Sequence, residues 1–293
     1  VFSTKFIYGE GNIFVKLFKK SEIDVKLKDF PNEKNNDYTN DMNSNIYNSG
    51  ETKNNRVILI SHRGITKNAT ENSLNAFKAA YNAWADWVEL DVNATRDWKL
   101  VVYHWPKLYG QTQCVNEMRD ICDIDWDEVK ECLLNDWEEI MLLEDALPQI
   151  KNLFSYIFLD FKVWEGESCQ IDTEALFDET VQLIQKDKMD AKIIFSSYNE
   201  NISRLLSKRW DLISALDTYT LADLDELPWS YFSYFMTPAE NYSETLVQRL
   251  QRYMVDPVAY TVNDIPTLKK LQELGVRFIM TDEFEELKQA LEQ

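Results

Sequence analysis

This 293-residue chain has few glycines and no closely spaced pair of cysteines, and each of these absences argues against a class of function. None of its seven glycines belongs to a glycine-rich phosphate loop, so a dinucleotide-binding fold is disfavoured. The four cysteines form neither a C-x-x-C pair nor a zinc-binding pattern. We therefore predict reduced cysteines in a cytoplasmic protein, with a secreted or processed form left open.

Basic residues are outnumbered by acidic ones. The chain has 31 Lys and Arg against 50 Asp and Glu, which gives a formal net charge of −19 at pH 7. Such a chain does not attract nucleic acids or anionic membranes, so neither is expected as a partner. The sequence also lacks a long charge-free apolar run, and no membrane span is predicted. No pattern indicates an oligomeric state.

The first 55 residues differ in composition from the rest. Residues 13–18 alternate as in a short strand, whereas residues 31–55 are rich in Asn, Asp and Ser and have little apolar surface to bury. We predict an N-terminal extension and Asn-rich linker over residues 1–55, and one folded domain over residues 56–293.

From residue 57 onward, short β-branched or aromatic runs alternate with segments of helical periodicity. This alternation over so long a stretch predicts a (β/α)₈ TIM barrel, which typically has about 250 residues. Nine runs qualify as strands, so one of them does not belong to the barrel. A doubly wound open sheet is the alternative. The runs start near residues 57, 87, 100, 156, 192, 212, 234, 258 and 278.

Polar side chains mark the ends of several predicted strands. In a strand, residues two apart share a face, so "WVELDV" places two carboxylates together, and "FLDFK" pairs an aspartate with a lysine. The carboxyl ends of barrel strands meet at one rim, where the active sites of TIM barrels lie. The candidate residues are His62, Arg63, Glu89, Asp91, His104, Asp160 and Lys162.

These residue types together indicate phosphate chemistry. Three converging carboxylates repel one another unless a cation compensates them, and Mg²⁺ or Ca²⁺ prefers oxygen ligands. We therefore predict a divalent cation at Glu89, Asp91 and Asp160. With Arg63 and Lys162 beside it, this site would bind an anion, and phosphate is the anion that we expect. Two histidines with an ordinary pKa of about 6.5 could then transfer the protons.

The order of the motifs resembles that of the glycerophosphodiester phosphodiesterase family. "SHRG", "ENS", "VELDV", "TRD" and "VVYH" are similar to its His-Arg-Gly, Pro-Glu-Asn-Ser, Glu-x-Asp-Val, Thr-x-Asp-Gly and His-Asp motifs. "FLDFK", "AYTVND" and "IMTD" are similar to its later strands, so the resemblance covers about residues 57–284. It implies a metal-dependent (β/α)₈ barrel that hydrolyses glycerophosphodiesters to glycerol 3-phosphate and an alcohol.

The resemblance also implies three sets of site residues. The acid–base pair would be His62 and His104, the metal ligands Glu89, Asp91 and Asp160, and the substrate-binding residues Arg63, Lys162, Glu71 and Tyr260. Which histidine is the acid stays open, as do the metal and the alcohol.

Several positions depart from the family's pattern. Trp98 replaces a glycine suited to a left-handed turn, which predicts a rearranged connection. Trp105 replaces the aspartate after His104, and strand alternation would turn its ring away from that histidine. The insertion over residues 105–145 is expected to shape the substrate pocket. The other departures are Ala69 for Pro, Trp84 for Gly, Asp160 for Glu and Tyr260 for Trp.

Three other functions are alternatives for this set of residues. A phospholipase C- or lysophospholipase D-like enzyme would use the same barrel on lipid substrates, and the extra tryptophans motivate it. A catalytically silent barrel acting as a binding module would leave the retained His, Arg, Glu, Asp and Lys set without a purpose. A glycosidase with paired carboxylates would leave the two histidines unexplained.

Overall fold

A computed structural model describes residues 3–9, 12–18, 56–162, 172–189, 191–219 and 231–292. The predicted Asn-rich linker and Cys169 lie outside the described residues. Near the N-terminus, β1 (Ser3–Gly9) and β2 (Asn12–Phe18) pair in an antiparallel hairpin, in a unit separate from the one that follows.

Strands and helices alternate through the second unit, as the sequence predicts. In chain order they are β3 (Ile58–Ser61), α1 (Leu74–Asn82), β4 (Trp87–Ala94), β5 (Leu100–Val102), α2 (Trp126–Val129), β6 (Met141–Leu142), α3 (Leu143–Ile150), β7 (Tyr156–Phe161), α4 (Thr173–Lys186), β8 (Ile193–Ser196), α5 (Glu200–Leu206), β9 (Ile213–Asp217), β10 (Tyr234–Pro238), α6 (Glu244–Arg252), β11 (Asp256–Tyr260), α7 (Ile265–Leu274), β12 (Phe278–Thr281) and α8 (Phe284–Leu291).

Eight of the described strands close into a parallel barrel. The hydrogen-bonded order is β3, β4, β7, β8, β9, β10, β11 and β12, and β12 pairs with β3 from Phe278 opposite Ile58 to Thr281 opposite Ser61. An open sheet would leave both of these strands without a neighbour on one side. The predicted (β/α)₈ barrel is therefore confirmed, and the doubly wound alternative is wrong.

The ninth strand candidate is β5, which lies outside the barrel. It runs antiparallel to β4, with Ala94 opposite Leu100, because the connection between them is too short for a helical crossover. Trp98 in this connection has φ of 65°, and its N–H donates to the carbonyl of Thr95 at 3.0 Å. The left-handed turn therefore forms even though tryptophan stands in place of glycine.

Alternation along β4 divides its side chains between two cores. Val88, Leu90 and Val92 pack outward in the shell of helices, while Trp87 points into the barrel. There its ring lies 5.2 Å from that of Phe278, between centroids. Apolar rings fill the base of the barrel, so the polar residues farther along the same face stand at its open, carboxyl end.

The insertion after β5 builds a small core of its own, centred on buried residues such as Tyr103, Leu108 and Ile121. A disulfide joins Cys114 to Cys132, and Cys122 is also disulfide-bonded. The prediction of reduced cysteines is therefore wrong: the fold brings together residues 18 apart that share no local motif. Within the described part of the chain, no helix is long and apolar enough to cross a membrane.

Candidate active site

Three carboxylates converge at the open end of the barrel. Glu89 and Asp91 lie on β4, and Asp160 on β7 stands opposite Asp91 in the parallel register. All three side chains are buried, and each offers an oxygen within 4.8 Å of the others. The structure therefore brings together the three residues that the sequence proposed as metal ligands.

The electrostatics of this cluster fit a hard cation. Burial raises the pKa of Glu89, and the charge of Asp91 raises it further; burial also raises the pKa of Asp160. For Asp91, burial acts in the same direction, but Lys162 and Arg63 outweigh it and hold the pKa below its usual range. The buried Oδ1 of Asp91 accepts no hydrogen bond from any described residue. A Mg²⁺ or Ca²⁺ ion would supply the missing partner.

Two cations flank the carboxylates. Lys162 Nζ contacts Asp160 and lies 3.3 Å from Asp91 Oδ1. Arg63 Nε lies 3.0 Å from Asp91 Oδ2, and its Nη1 donates to Glu71 at 3.1 Å. Both cations line a cavity of about 290 Å³ that also opens onto the carboxylate cluster. This is a volume suited to a small anionic ligand.

A tight turn after β3 delivers Arg63 to the cavity. Arg63 has φ of 58°, and its N–H donates to the side chain of Glu89 at 3.1 Å. Gly64 follows with φ of 85°, and a Cβ there would lie 2.6 Å from the carbonyl carbon of Ala76 in α1. Only glycine fits so close to that helix. The His-Arg-Gly sequence is therefore required by geometry as well as by chemistry.

His62 is held by a carboxylate that sequence reasoning did not assign to the site. Its Nδ1 lies 2.7 Å from Asp282 Oδ1, and Asn263 donates to Asp282 Oδ2 at 2.8 Å. Burial raises the pKa of Asp282, but the hydrogen bond from His62 outweighs it and lowers the pKa. An ionised carboxylate only accepts, so Nδ1 carries the proton. His62 Nε2 then faces the cluster of three carboxylates and lies 3.9 Å from Glu89 Oε2.

If His62 transfers a proton, Asp282→Asn is expected to lower kcat about 100-fold, within the range for general acid–base catalysis, because the uncharged amide no longer stabilises an imidazolium at His62. The measurement is kcat on a phosphodiester substrate across pH. Asp211→Asn, which alters an exposed pair with Arg209, is the matched control and should leave kcat unchanged. A wild-type kcat in Asp282→Asn would contradict this role.

His104 lies two residues beyond the end of β5. The side-chain amide of Asn93 donates to the carbonyls of Tyr103 at 2.7 Å and of His104 at 3.2 Å, which holds the backbone here. The buried Nδ1 of His104 has no hydrogen-bond partner among the described residues, and burial lowers the pKa of the imidazole to about 3. Asn93 was missed, although its place two residues after Asp91 on β4 puts it on the same face.

The prediction that Trp105 faces away from His104 is wrong. The two ring centroids lie 4.6 Å apart in an edge-on arrangement. Strand alternation does not apply at this position because β5 ends at Val102. Trp105 also reaches Glu71, to whose Oε1 its indole N–H donates at 3.0 Å.

Asn72 orients one of the carboxylates. Its side-chain Nδ2 donates to Asp91 Oδ2 at 2.7 Å, and its side-chain Oδ1 accepts from the backbone N–H of Asp91 at 3.0 Å. The backbone of Asn72 has φ of 61°, a conformation that asparagine tolerates better than most residues. The "ENS" motif therefore supplies two site residues, Glu71 and Asn72, of which only the first was predicted.

The cavity is also lined by Tyr260, another predicted site residue. Its hydroxyl donates to Asp217 Oδ1 at 2.6 Å. Burial and the charge of Asp160 raise the pKa of Asp217 to about 7. Asp217 ends β9 and was not predicted, because a single aspartate after an apolar run has no distinctive signal. Tyr219 and Glu240 also line the cavity.

The described site thus combines an acidic cluster, two cations and a carboxylate-bound histidine at the open end of a (β/α)₈ barrel, which defines a TIM-barrel enzyme. Residues 62–286 match the sequence model of the Glycerophosphoryl diester phosphodiesterase family. The chain belongs to this family and is a phosphoric diester hydrolase. The resemblance seen in the motifs is confirmed.

Individual relatives cover most of both chains. A glycerophosphodiester phosphodiesterase of Caldanaerobacter subterraneus subsp. tengcongensis is 26% identical over 239 residues, 79% of this chain and 96% of that protein. A structure of an Oleispira antarctica phosphodiesterase in complex with the product sn-glycerol-3-phosphate has a TM-score of 0.72 at 21% identity and covers 80% of this chain and 96% of that one. A glycerophosphodiester phosphodiesterase structure from Parabacteroides distasonis has a TM-score of 0.68 at 23% identity, with coverage of 81% and 98%.

Proposed function

We propose that this chain hydrolyses glycerophosphodiesters to glycerol 3-phosphate and an alcohol, with Mg²⁺ or Ca²⁺ held by Glu89, Asp91 and Asp160. The observation that carries the proposal is the buried carboxylate cluster with Arg63 and Lys162 beside it in one cavity. Family membership and the product bound to the Oleispira antarctica relative support the substrate class. The all-oxygen ligand set favours a hard cation over zinc.

A divalent cation bound here would polarise the phosphodiester and neutralise negative charge. Arg63 and Lys162 line the cavity, so their N–H groups can stabilise the phosphate oxygens as charge develops on them. Asn72 holds Asp91 in place during the reaction, since it contacts both the side chain and the backbone of that residue.

The surroundings of the two histidines suggest different roles. His104 has no carboxylate hydrogen-bonded to its ring among the described residues, so no partner stabilises its imidazolium and its neutral ring can accept a proton from the nucleophile. His62 is paired with Asp282, which stabilises an imidazolium, so it can donate a proton to the leaving alcohol. In this assignment His104 is the base and His62 the acid.

Tyr260 is proposed to bind the hydroxyl-bearing part of the substrate together with Asp217. Tyr260→Phe removes the hydroxyl and keeps the ring, so we expect KM for sn-glycero-3-phosphocholine to rise about fivefold, the effect of one lost hydrogen bond. Turnover of bis(4-nitrophenyl) phosphate, which has no hydroxyl groups, should be unchanged. The exposed Tyr81→Phe is the control. Equal losses on both substrates would contradict the role.

The proposed function is tested by incubating the chain with sn-glycero-3-phosphocholine and either Mg²⁺ or Ca²⁺, and detecting glycerol 3-phosphate. Release that stops on chelation and resumes with the metal is the expected result. Turnover of lysophosphatidylcholine in preference to the water-soluble diester would indicate the lipid phosphodiesterase instead. Metal binding without turnover of either would indicate the binding module.

One expectation from composition stays a prediction, and for another we now propose the opposite. The net charge of −19 still argues against a nucleic-acid partner. For the cytoplasmic location, the disulfide between Cys114 and Cys132 favours an oxidising compartment instead. Alkylation of the freshly isolated protein before and after reduction would decide this, since a cytoplasmic protein should expose its thiols without reduction.

A further inference from the structure

Trp105 connects two parts of the site that otherwise have few restraints. Its indole N–H donates to Glu71 Oε1 at 3.0 Å, and Glu71 Oε2 accepts from Arg63 Nη1 at 3.1 Å. The ring of Trp105 also packs nearly perpendicular to the imidazole of His104, at 85° with 4.6 Å between centroids. One side chain therefore contacts both the partner of a phosphate-binding cation and a proposed acid–base group.

The orientation of Arg63 depends on this chain of contacts. The bond to Glu71 is the one hydrogen bond that its guanidinium makes to the described residues: Nε lies 3.0 Å from Asp91 Oδ2 but without hydrogen-bond geometry. Glu71 is in turn held by Arg63 on one oxygen and by Trp105 on the other. Without the indole N–H, Arg63 alone holds the carboxylate of Glu71, and Nη1 of Arg63 has a less firmly fixed acceptor.

The ring of His104 depends on Trp105 in a different way. Asn93 fixes the backbone of His104, but its buried Nδ1 makes no hydrogen bond within the described part of the chain. Packing against Trp105 therefore contributes to the direction in which Nε2 points.

We propose that Trp105 is a positioning residue: its indole N–H sets Arg63 through Glu71, and its ring supports His104. This inference rests on the proposed function, because it assigns phosphate binding to Arg63.

The simpler account is that Trp105 is an exposed aromatic residue without a role, as 41% of its surface is accessible. Trp137, in the same insertion, is 70% exposed, and its side chain makes no hydrogen bond or ring contact to the described site residues. It provides a matched control, because Trp137→Phe makes the same chemical change away from the cavity.

The test is a double-mutant cycle between Trp105→Phe and Glu71→Ala, with kcat and KM measured on sn-glycero-3-phosphocholine. Trp105→Phe keeps one aromatic ring and removes the indole N–H together with the second ring, so kcat/KM should fall about tenfold, as for a lost hydrogen bond to a charged group. In the Glu71→Ala background the same substitution should change kcat/KM less than about twofold. Trp137→Phe should have the kcat/KM of the wild type, and all variants should have the Tm of the wild type.

Two outcomes would overturn the proposal. Wild-type kcat/KM in Trp105→Phe would show that the indole N–H has no effect. An equal tenfold loss with and without Glu71 would show that Trp105 does not act through that residue. A wild-type chain that turns over no glycerophosphodiester in the presence of metal would overturn the proposed function and this inference together, whereas the first two outcomes leave the proposed function intact.

Discussion

His62→Ala and His104→Ala are each expected to lower kcat about 1,000-fold, within the range that general acid–base catalysis contributes. Each substitution removes a group that transfers a proton, and the remaining histidine cannot serve both the nucleophile and the leaving alcohol. The double variant should be little worse than either single one, because the two groups act as a unit. The measurement is kcat at saturating sn-glycero-3-phosphocholine.

Stability separates a catalytic loss from an unfolded protein. His62→Ala leaves Asp282 hydrogen-bonded to Asn263. His104→Ala breaks no hydrogen bond of the ring Nδ1, because this atom has no partner among the described residues. Both variants should therefore fold, with a Tm within a few degrees of the wild type. Near-wild-type kcat in either variant would contradict its assignment to the acid–base pair.

Asp160→Asn is expected to remove metal-dependent turnover and to weaken the binding of Mg²⁺ or Ca²⁺ more than tenfold, because the cluster loses one of three charged oxygen ligands. Asp160→Glu is the matched control: it keeps the charge, adds reach and restores the residue usual in the family's pattern. It should retain most of the affinity. Calorimetric titration of the metal-free protein measures binding independently of turnover.

The removal of Asp160 also takes a contact from the buried Lys162, so Tm must accompany the titration. Glu89→Gln provides a second variant, since Glu89 forms no ion pair with Lys162 among the described residues. If both amide variants bind the metal as tightly as the wild type, the cluster is not the metal site.

The barrel could be predicted because its determinants are local. Alternation on β4 places Val88 and Leu90 outward and Glu89 and Asp91 inward, and the same pattern recurs from strand to strand. The proposed metal ligands on β4 and β7 could be predicted for the same reason, since carboxyl ends of parallel strands meet at one rim. The sequence indicated a strand outside the barrel only because it contains nine strand candidates and the barrel has eight strands. It did not identify β5 as that strand.

Several of the missed contacts depend on long-range geometry. Asp282 lies 220 positions from His62, so no local pattern joins the two before the barrel closes. The disulfide and the hydrogen bond from Tyr260 to Asp217 have the same origin. The orientation of Trp105 was missed for a different reason: alternation predicts directions inside a strand, and β5 ends three residues earlier.

The two-residue length of β6 has a consequence for how the protein behaves at high concentration. Closure of the barrel pairs both sides of all eight strands, and β5 and β6 extend the sheet outward from β4. The free edge of this sheet is therefore β6, which spans only Met141–Leu142 before α3 begins. So short an edge gives a second chain little backbone to pair with, and edge-to-edge aggregation through the barrel's sheet is disfavoured.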